Sequence, residues 1–282
     1  MDGRAAAPAA GTVLNALANG YGAAFAIDAH TEATVELDGT GEVTAEVAGA
    51  PDADTRLVER CVTAVVERVG DGEGGHVRTE SDVPMAAGLK SSSAAANATV
   101  LAALSALDAA ADLSREAACR VGVEAAREAG VTVTGAFDDA SASMLGGVTV
   151  TDNDADELLR RDEPGWDVLV YTPDERALSA DADVSRCERV APAADVVHEL
   201  AADGDYERAM CVNGLTFCAA LGYPTEPLLE VMPAAAASLS GTGPSYTAVG
   251  DRETLCALEA VWARREGHTW LTTTHPTGAR TL

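Results

Sequence analysis

The pattern of hydrophobic and polar positions divides the first half of the chain into short strands and amphipathic helices. Alternating or strand-forming residues predict three short strands, at residues 31–37, 43–48 and 76–84. Apolar positions at helical spacing predict two helices, at residues 54–69 and 114–130. Asp54 and Ser114 precede these helices and are the candidate N-caps.

A third predicted helix differs from these two because it is apolar on all sides. Residues 91–110, SSSAAANATVLAALSALDAA, contain no Gly or Pro and are rich in Ala and Leu. Such a composition favours a long helix, and a helix without a polar face is buried. We therefore predict a central buried helix that begins at the serines.

The second half of the chain follows a polar, turn-rich stretch at residues 151–167, and we place the domain boundary between residues 155 and 156. Just before this stretch, residues 134–150 pass from a turn through a short helix into a strand. Beyond it, the pattern predicts further strands at 167–172, within 238–250 and near 268–274. Helices are predicted at 193–202, 205–221 and 252–265. The chain has no internal repeat.

Composition adds an acidic surface to this picture. The 282 residues include 45 Asp and Glu against 19 Lys and Arg, which gives a net charge of −26. The acids are spread along the whole chain, so they predict a solvated shell that repels nucleic acid and anionic membranes. Hydrophobic residues make up 47% of the chain but aromatic residues only 4%, so the core must consist mainly of Ala, Val and Leu. This combination is typical of proteins from salt-loving organisms.

The cysteines and the absence of apolar runs predict a location. Six cysteines show no CxxC pair and no histidine at zinc-ligand spacing, which favours structural thiols in a reducing compartment. No basic segment followed by an apolar run opens the chain, and no 18 apolar residues follow one another. We predict a cytoplasmic protein without a membrane partner.

The stretch PMAAGLKSSSA, residues 84–94, contains Lys90, the only lysine of the chain. A small-residue loop that enters a helix can bind phosphate, because the first N–H groups of the helix have no internal partner. Gly88 allows a close approach of the backbone, and the serines offer amides and hydroxyls. The spacing differs from that of a Walker A loop. Alternatively, Ser91 only caps the helix; the retained lysine favours the phosphate site.

Two further segments are candidates for a site. In TGAFDDASASMLGG, residues 134–147, Asp138 and Asp139 are adjacent acids in an otherwise apolar or small run. Neighbouring sheltered carboxylates can differ in proton affinity and role, although an ordinary N-cap acid is the alternative. In SLSGTGPSYTAVG, residues 238–250, Gly241 and Gly243 separate two strand-like pieces. This segment lacks the dinucleotide fingerprint, and its alternative is a hairpin turn.

Taken in order, these segments resemble the three motifs of the GHMP kinase superfamily. Residues 84–94 fit the central motif, Pro-x-x-x-Gly-Leu-x-Ser-Ser-x-Ala, at every defined position. Residues 7–28, the lysine in the loop and residues 134–143 are most similar to the archaeal branch that acts on shikimate. The resemblance covers nearly the whole chain. It implies an α+β fold, with a half like domain 2 of ribosomal protein S5 at 1–155, a ferredoxin-like half at 156–282, and the active site between them.

The resemblance also implies roles for individual residues. ATP would be bound by Pro84, Met85, Ala86, Ala87, Gly88, Leu89, Lys90, Ser91, Ser92, Ser93 and Ala94. Asp138, eight residues before Gly146, would be catalytic together with Lys90, and Asp139 is the alternative. Ser92 and Glu124 would bind Mg²⁺, with Glu128 as the alternative to Glu124. Gly241, Thr242 and Gly243 would close over the phosphates, and the substrate-binding candidates are Arg4, Asn15 and Asp28.

The activity implied by the resemblance is transfer of the ATP γ-phosphate to the 3-hydroxyl of shikimate, with Mg²⁺ as cofactor. Homoserine, pantoate and mevalonate are alternative acceptors, because the same motifs would serve them. A non-catalytic regulator that binds a ligand is a further alternative. The expected partners are small molecules only, and the expected assembly is a monomer or homodimer.

Overall fold

Two β-sheets form the framework of the chain, whose computed structural model describes residues 1–132, 135–174 and 183–282. The first sheet contains β1 (Asp2–Leu14), β2 (Tyr21–Asp38), β3 (Val43–Val47), β4 (Gly74–Ser81), β5 (Val148–Asp152), β6 (Glu157–Asp162) and the short β11 (Arg280–Thr281). The second contains β7 (Asp167–Thr172), β8 (Ala236–Leu239), β9 (Tyr246–Gly250) and β10 (His268–Thr273).

The strands of both sheets are antiparallel, apart from the parallel pair β3 and β4. The first sheet has the order β11-β1-β2-β4-β3, with β5 beside the start of β2 and β6 beside β5. The second has the order β10-β7-β9-β8. Because β11 comes from the C-terminal end and pairs with β1, the last residues of the chain return to the first sheet.

The described helices pack on these sheets. In the first half they are α1 (Arg56–Val69), α2 (Ser91–Ala106), α3 (Arg115–Glu128) and α4 (Phe137–Leu145). In the second half they are α5 (Val184–Glu188), α6 (Ala191–Asp203), α7 (Tyr206–Leu221), α8 (Glu226–Val231) and α9 (Arg252–Trp262). Not one of these helices is long and apolar enough to cross a lipid bilayer.

Helix α2 is the central element of the first half, as its uniform apolar composition predicts. Most of its residues are buried, and it packs against β1, β2, α1 and α3. The contact with β1 is close, since a Cβ on Gly3 would lie 2.0 Å from the carbonyl oxygen of Ala102. Small residues therefore bring backbone against backbone where larger side chains would hold the elements apart.

A second buried cluster joins the two halves of the chain. Phe25 and Val150 of the first sheet pack in it with Val168 of the second sheet, and Val197 and Met210 supply the helical side. The halves thus share apolar surface, which fixes the position of the second sheet relative to the first.

Most predicted elements are confirmed, including the start of α2 at Ser91 and the cap of α3, where Ser114 Oγ accepts a hydrogen bond from Ala117 N at 3.1 Å. The cap assigned to Asp54 is wrong: Thr55 is the N-cap of α1, and the Asp54 carboxylate accepts from Arg56 N. All six cysteines are free thiols, and burial raises the pKa of Cys61 to about 12.

The polar stretch predicted to contain the boundary includes strand β6, which pairs with β5. Residues 155 and 156 lie in the turn between these two strands, so the first sheet extends past the predicted boundary to Asp162. An edge strand has a solvated face, and its polar residues therefore look like a loop in the sequence.

We expect the melting temperature to rise steeply with KCl concentration. The net charge of −26 means that excess carboxylates repel one another in the folded chain, and salt screens this repulsion. The Debye length falls from about 10 Å at 0.1 M salt to about 3 Å at 1 M. Circular dichroism melts across this range provide the measurement. The same series at a pH near the isoelectric point, where enough carboxylates are protonated to bring the net charge close to zero, is the control and should show a smaller salt effect. A melting temperature that does not respond to KCl would contradict the acidic-shell interpretation.

Candidate active site

The lysine-containing loop ends at the N-terminus of α2 in a strained backbone conformation. Ala86 and Lys90 have positive φ angles of 58° and 61°, and Gly88 has a φ of 80°. Non-glycine residues in this region cost of order 1–3 kcal/mol each, and such strain persists at ligand-binding sites. The first helical hydrogen bond runs from Ala94 N to Lys90 O, so the amides of residues 91–93 precede the helical ladder.

The third glycine segment packs directly on this loop. Ser240 Oγ donates a hydrogen bond to Gly88 O at 2.8 Å, and Ser245 N donates to Ala87 O at 3.2 Å. A Cβ at residue 88 would lie 2.4 Å from Ser240 O. Glycine is therefore required at residue 88 by both its φ angle and the adjacent backbone.

The same segment is also bound to the N-terminal motif. Gly241 N donates to Thr12 Oγ1 at 2.8 Å, and Asn15 Nδ2 donates to Gly241 O at 2.9 Å. The segment thus does more than turn between β8 and β9. It joins strand β1 to the lysine-containing loop, and Thr242 and Gly243 follow at its tip.

Lys90 brings the second motif into the same site. Its Nζ lies 2.7 Å from Asp139 Oδ1, and the two side chains are only 8% and 15% exposed. The ammonium group also lies against Gly241, where an added Cβ would be 2.9 Å from Nζ. The three segments predicted from the sequence therefore meet around one buried ammonium group.

Asp138, the neighbour of Asp139 in the first turn of α4, lies in a different environment. It is 4% exposed, and its Oδ1 accepts a hydrogen bond from Asn153 Nδ2 at 2.7 Å. Burial, and next the charge of Asp139, raise the pKa of Asp138 to about 7, against the opposing effects of Lys90 and Asn153. A carboxyl group with this pKa can accept a proton near neutral pH.

Strand β2 approaches this carboxyl group at Gly22. A Cβ at residue 22 would lie 2.6 Å from Asp138 Oδ2. Neither Gly22 nor Asn153 is predicted as a site residue from the sequence. Pairing of β5 with β2 brings both residues to the same end of the sheet, and the only local signal was the small-residue character of residues 7–28.

Other predicted site residues are engaged elsewhere. Arg4 forms an exposed pair with Glu32 at 3.1 Å, and Asp28 is exposed beside His30. Asn15 lies at the site, but its side chain holds Gly241 O and accepts from Leu17 N. Arg4 and Asp28 thus have exposed side-chain partners and Asn15 has a backbone contact with Gly241, and their assignment to substrate binding stays a prediction.

The candidate metal ligands on α3 are paired with arginines of α1. Glu124 and Glu128 are about half exposed and form ion pairs with Arg68 and Arg60 of α1. Helix α3 packs on α1, which directs these carboxylates to that surface. Of the residues proposed for Mg²⁺, only Ser92, exposed in the first turn of α2, lies at the candidate phosphate site. Thr134, at the start of the second segment, lies outside the described residues.

The chain is similar to known proteins in both sequence and fold. Residues 56–147 match the family model described as the GHMP kinases N terminal domain. The fold resembles the crystal structure of mevalonate kinase from Methanococcus jannaschii, with a TM-score of 0.76, 13% identity and 98% of each chain covered. The matched residues and the fold are both similar to those of GHMP kinases.

Similarity over the whole chain identifies the branch of the family to which the protein belongs. The chain is 63% identical to the shikimate kinase of Halobacterium salinarum, with 100% of both chains covered. It is 47% identical to the shikimate kinase of Methanosarcina mazei, over 93% of this chain and 90% of the relative. The chain therefore belongs to the archaeal shikimate kinase family of the GHMP kinases, which confirms the resemblance found in the sequence.

We expect Lys90→Arg to fail to support turnover, although it preserves the charge. The ammonium is buried between Asp139 and Gly241, and the wider planar guanidinium does not fit that space in the same way. kcat/KM for ATP should fall at least about tenfold, a loss of about 1.4 kcal/mol in transition-state binding. Lys90→Ala should weaken both nucleotide binding and turnover.

The matched control for this experiment is Arg68→Lys, the reverse substitution at a surface position of α1. It should leave turnover unchanged. A fully active Lys90→Arg enzyme would show that position 90 requires only a positive charge.

Proposed function

We propose that this protein transfers the γ-phosphate of ATP to the 3-hydroxyl of shikimate. The observation that carries the proposal is the whole-length similarity to shikimate kinases, combined with the convergence of three motifs around Lys90. The kinase class rests on the family, whereas the acceptor and the individual residue roles are our proposal.

Phosphoryl transfer requires neutralisation of phosphate charge and an aligned acceptor. Lys90 and the free amides at the N-terminus of α2 supply positive charge and donors for the phosphates. The loop from Pro84 to Ala94 would surround them, and Gly241, Thr242 and Gly243 would cover them. The Ser92 hydroxyl would bind Mg²⁺, which takes most of its ligands from phosphates and water and shields the transferred charge.

Asp138 is the residue we assign as the general base. Asp139 is already neutralised by Lys90, whereas the pKa of Asp138 is raised to about 7, so Asp138 is the better proton acceptor near neutral pH. Its buried carboxyl group would orient the acceptor hydroxyl and take up its proton as the phosphoryl group is transferred. A base with a pKa near the working pH is the most effective.

The fold by itself does not select shikimate over homoserine, pantoate or mevalonate, because a mevalonate kinase shares this fold at 13% identity. The 63% identity to a shikimate kinase favours shikimate. Intact Lys90, Ser92 and Asp138 disfavour a regulator without activity. A cytoplasmic location and a monomeric or homodimeric state stay predictions.

We expect shikimate to give the highest kcat/KM of the four acceptors with Mg²⁺ and ATP in molar KCl. Coupled detection of ADP release measures the turnover of each acceptor. The same assay without any acceptor measures acceptor-independent ATP hydrolysis, which is subtracted. Faster turnover of homoserine, pantoate or mevalonate would refute the assigned acceptor.

We further expect Asp138→Asn to lower kcat by about 10²–10⁴-fold while ATP affinity changes little, because a general base acts mainly in the transition state. In the unaltered enzyme kcat/KM should rise with pH through about 7, since only the ionised carboxyl group accepts a proton. Rate profiles from pH 5 to 9 and nucleotide-binding titrations provide the measurements.

Asp139→Asn is the comparison variant for this test. It removes the partner of Lys90 and should therefore affect nucleotide binding as well as turnover. If Asp138→Asn stays active and Asp139→Asn does not, the catalytic role belongs to Asp139.

A further inference from the structure

Asn153 directly follows strand β5 and is 1% exposed. It lies outside the three motif segments, and its local sequence does not mark it as functional. On the basis of the proposed function, we infer that Asn153 is a positioning residue that orients the Asp138 carboxyl group and stabilises its ionised form. Asn153 and Asp138 share a reciprocal pair of hydrogen bonds, and the asparagine is itself anchored by its backbone.

The two residues bind each other in both directions. Asn153 Nδ2 donates to Asp138 Oδ1 at 2.7 Å, and the backbone N–H of Asp138 donates to Asn153 Oδ1 at 3.1 Å. Thr151 Oγ1 also lies 2.8 Å from Asn153 Oδ1 and donates to it. Because a backbone N–H can only donate, the side-chain oxygen of Asn153 must face it. The amide NH₂ group is therefore directed at the carboxylate.

Hydrogen bonds to the backbone groups of Asn153 fix its position. Its N–H donates to Gly20 O at 2.9 Å in the turn between β1 and β2, and its carbonyl oxygen accepts from Arg127 Nη2 at 3.3 Å. The asparagine thus links four elements, namely the β1–β2 turn, helix α3, the end of β5 and the first turn of α4. A side chain fixed in this way can hold its partner in one orientation.

This geometry distinguishes the two oxygens of Asp138. Oδ1 is engaged by the Asn153 amide, whereas Oδ2 is not bound by that amide and packs against Gly22, where an added Cβ would lie 2.6 Å from it. We assign Oδ2 as the atom that accepts the proton of the acceptor hydroxyl. The charged groups that act on Asp138 are Asp139, which opposes its ionisation, and Lys90, which favours it. The Asn153 donor adds to the effect of Lys90 without adding charge.

Two substitutions of Asn153 test this role. Asn153→Asp keeps the shape and the acceptor for Asp138 N but replaces the NH₂ donor by an oxygen. Asn153→Ala removes both hydrogen bonds. For both variants we expect kcat to fall at least about tenfold with little change in KM for ATP. The acid limb of the rate profile should move to higher pH, because the ionised carboxylate loses its donor.

The matched control is Asn97→Ala. Asn97 is also a fully buried asparagine that holds α4, but its Nδ2 donates to the backbone oxygen of Ala140 at 2.9 Å. We expect this variant to lower the melting temperature without moving the acid limb. A merely structural role of Asn153 would make the two alanine variants alike.

A second measurement does not depend on any acceptor. Carbon-13 NMR of protein labelled at the aspartate carboxyl groups follows the Asp138 resonance, which is identified by its loss in Asp138→Asn. We expect it to titrate at higher pH in Asn153→Ala than in the unaltered protein. An unchanged titration, or an equal change in Asn97→Ala, would overturn the inference. If shikimate is not the acceptor, this titration still decides the role of Asn153.

Discussion

The buried ion pair between Lys90 and Asp139 is the contact on which the arrangement of the site depends. Withdrawal of each ion from water costs several kcal/mol, so neither side chain would stay buried without the other. Removal of one partner from such a pair typically costs about 3–5 kcal/mol. The pair joins the N-terminus of α2 to the first turn of α4, and Gly241 leaves room for the ammonium group.

The ion pair also separates the properties of two adjacent carboxyl groups. Consecutive residues of a helix point about 100° apart. Asp139 therefore faces Lys90, whereas Asp138 faces Asn153 and the backbone of β2 at Gly22. One carboxylate is neutralised by a cation, and the other is desolvated and held by a neutral amide. Different surroundings, rather than different chemistry, give the two groups different roles.

Small residues allow these segments to approach one another. A Cβ at Gly3, Gly22 or Gly88 would lie within 2.6 Å of another backbone or of the Asp138 side chain. The core is accordingly rich in alanine, and its larger side chains are concentrated where the two halves meet and in the second half. Outside this core the surface is strongly acidic, so the single lysine is found in a protected position rather than in the solvated shell.

The sequence by itself determined the local elements, the class of protein and the three segments of the site. Helix α2, its start at Ser91 and the lysine-containing loop follow from composition and spacing, because helix preference and helix-terminal chemistry act between near neighbours. Only the tertiary structure decided which side chains meet. Glu124 has a suitable chemistry but faces α1, and Asn153 appears as part of a polar loop although it binds Asp138. These outcomes depend on strand pairing and on helix orientation between segments far apart in the chain, which hydrophobic periodicity does not record.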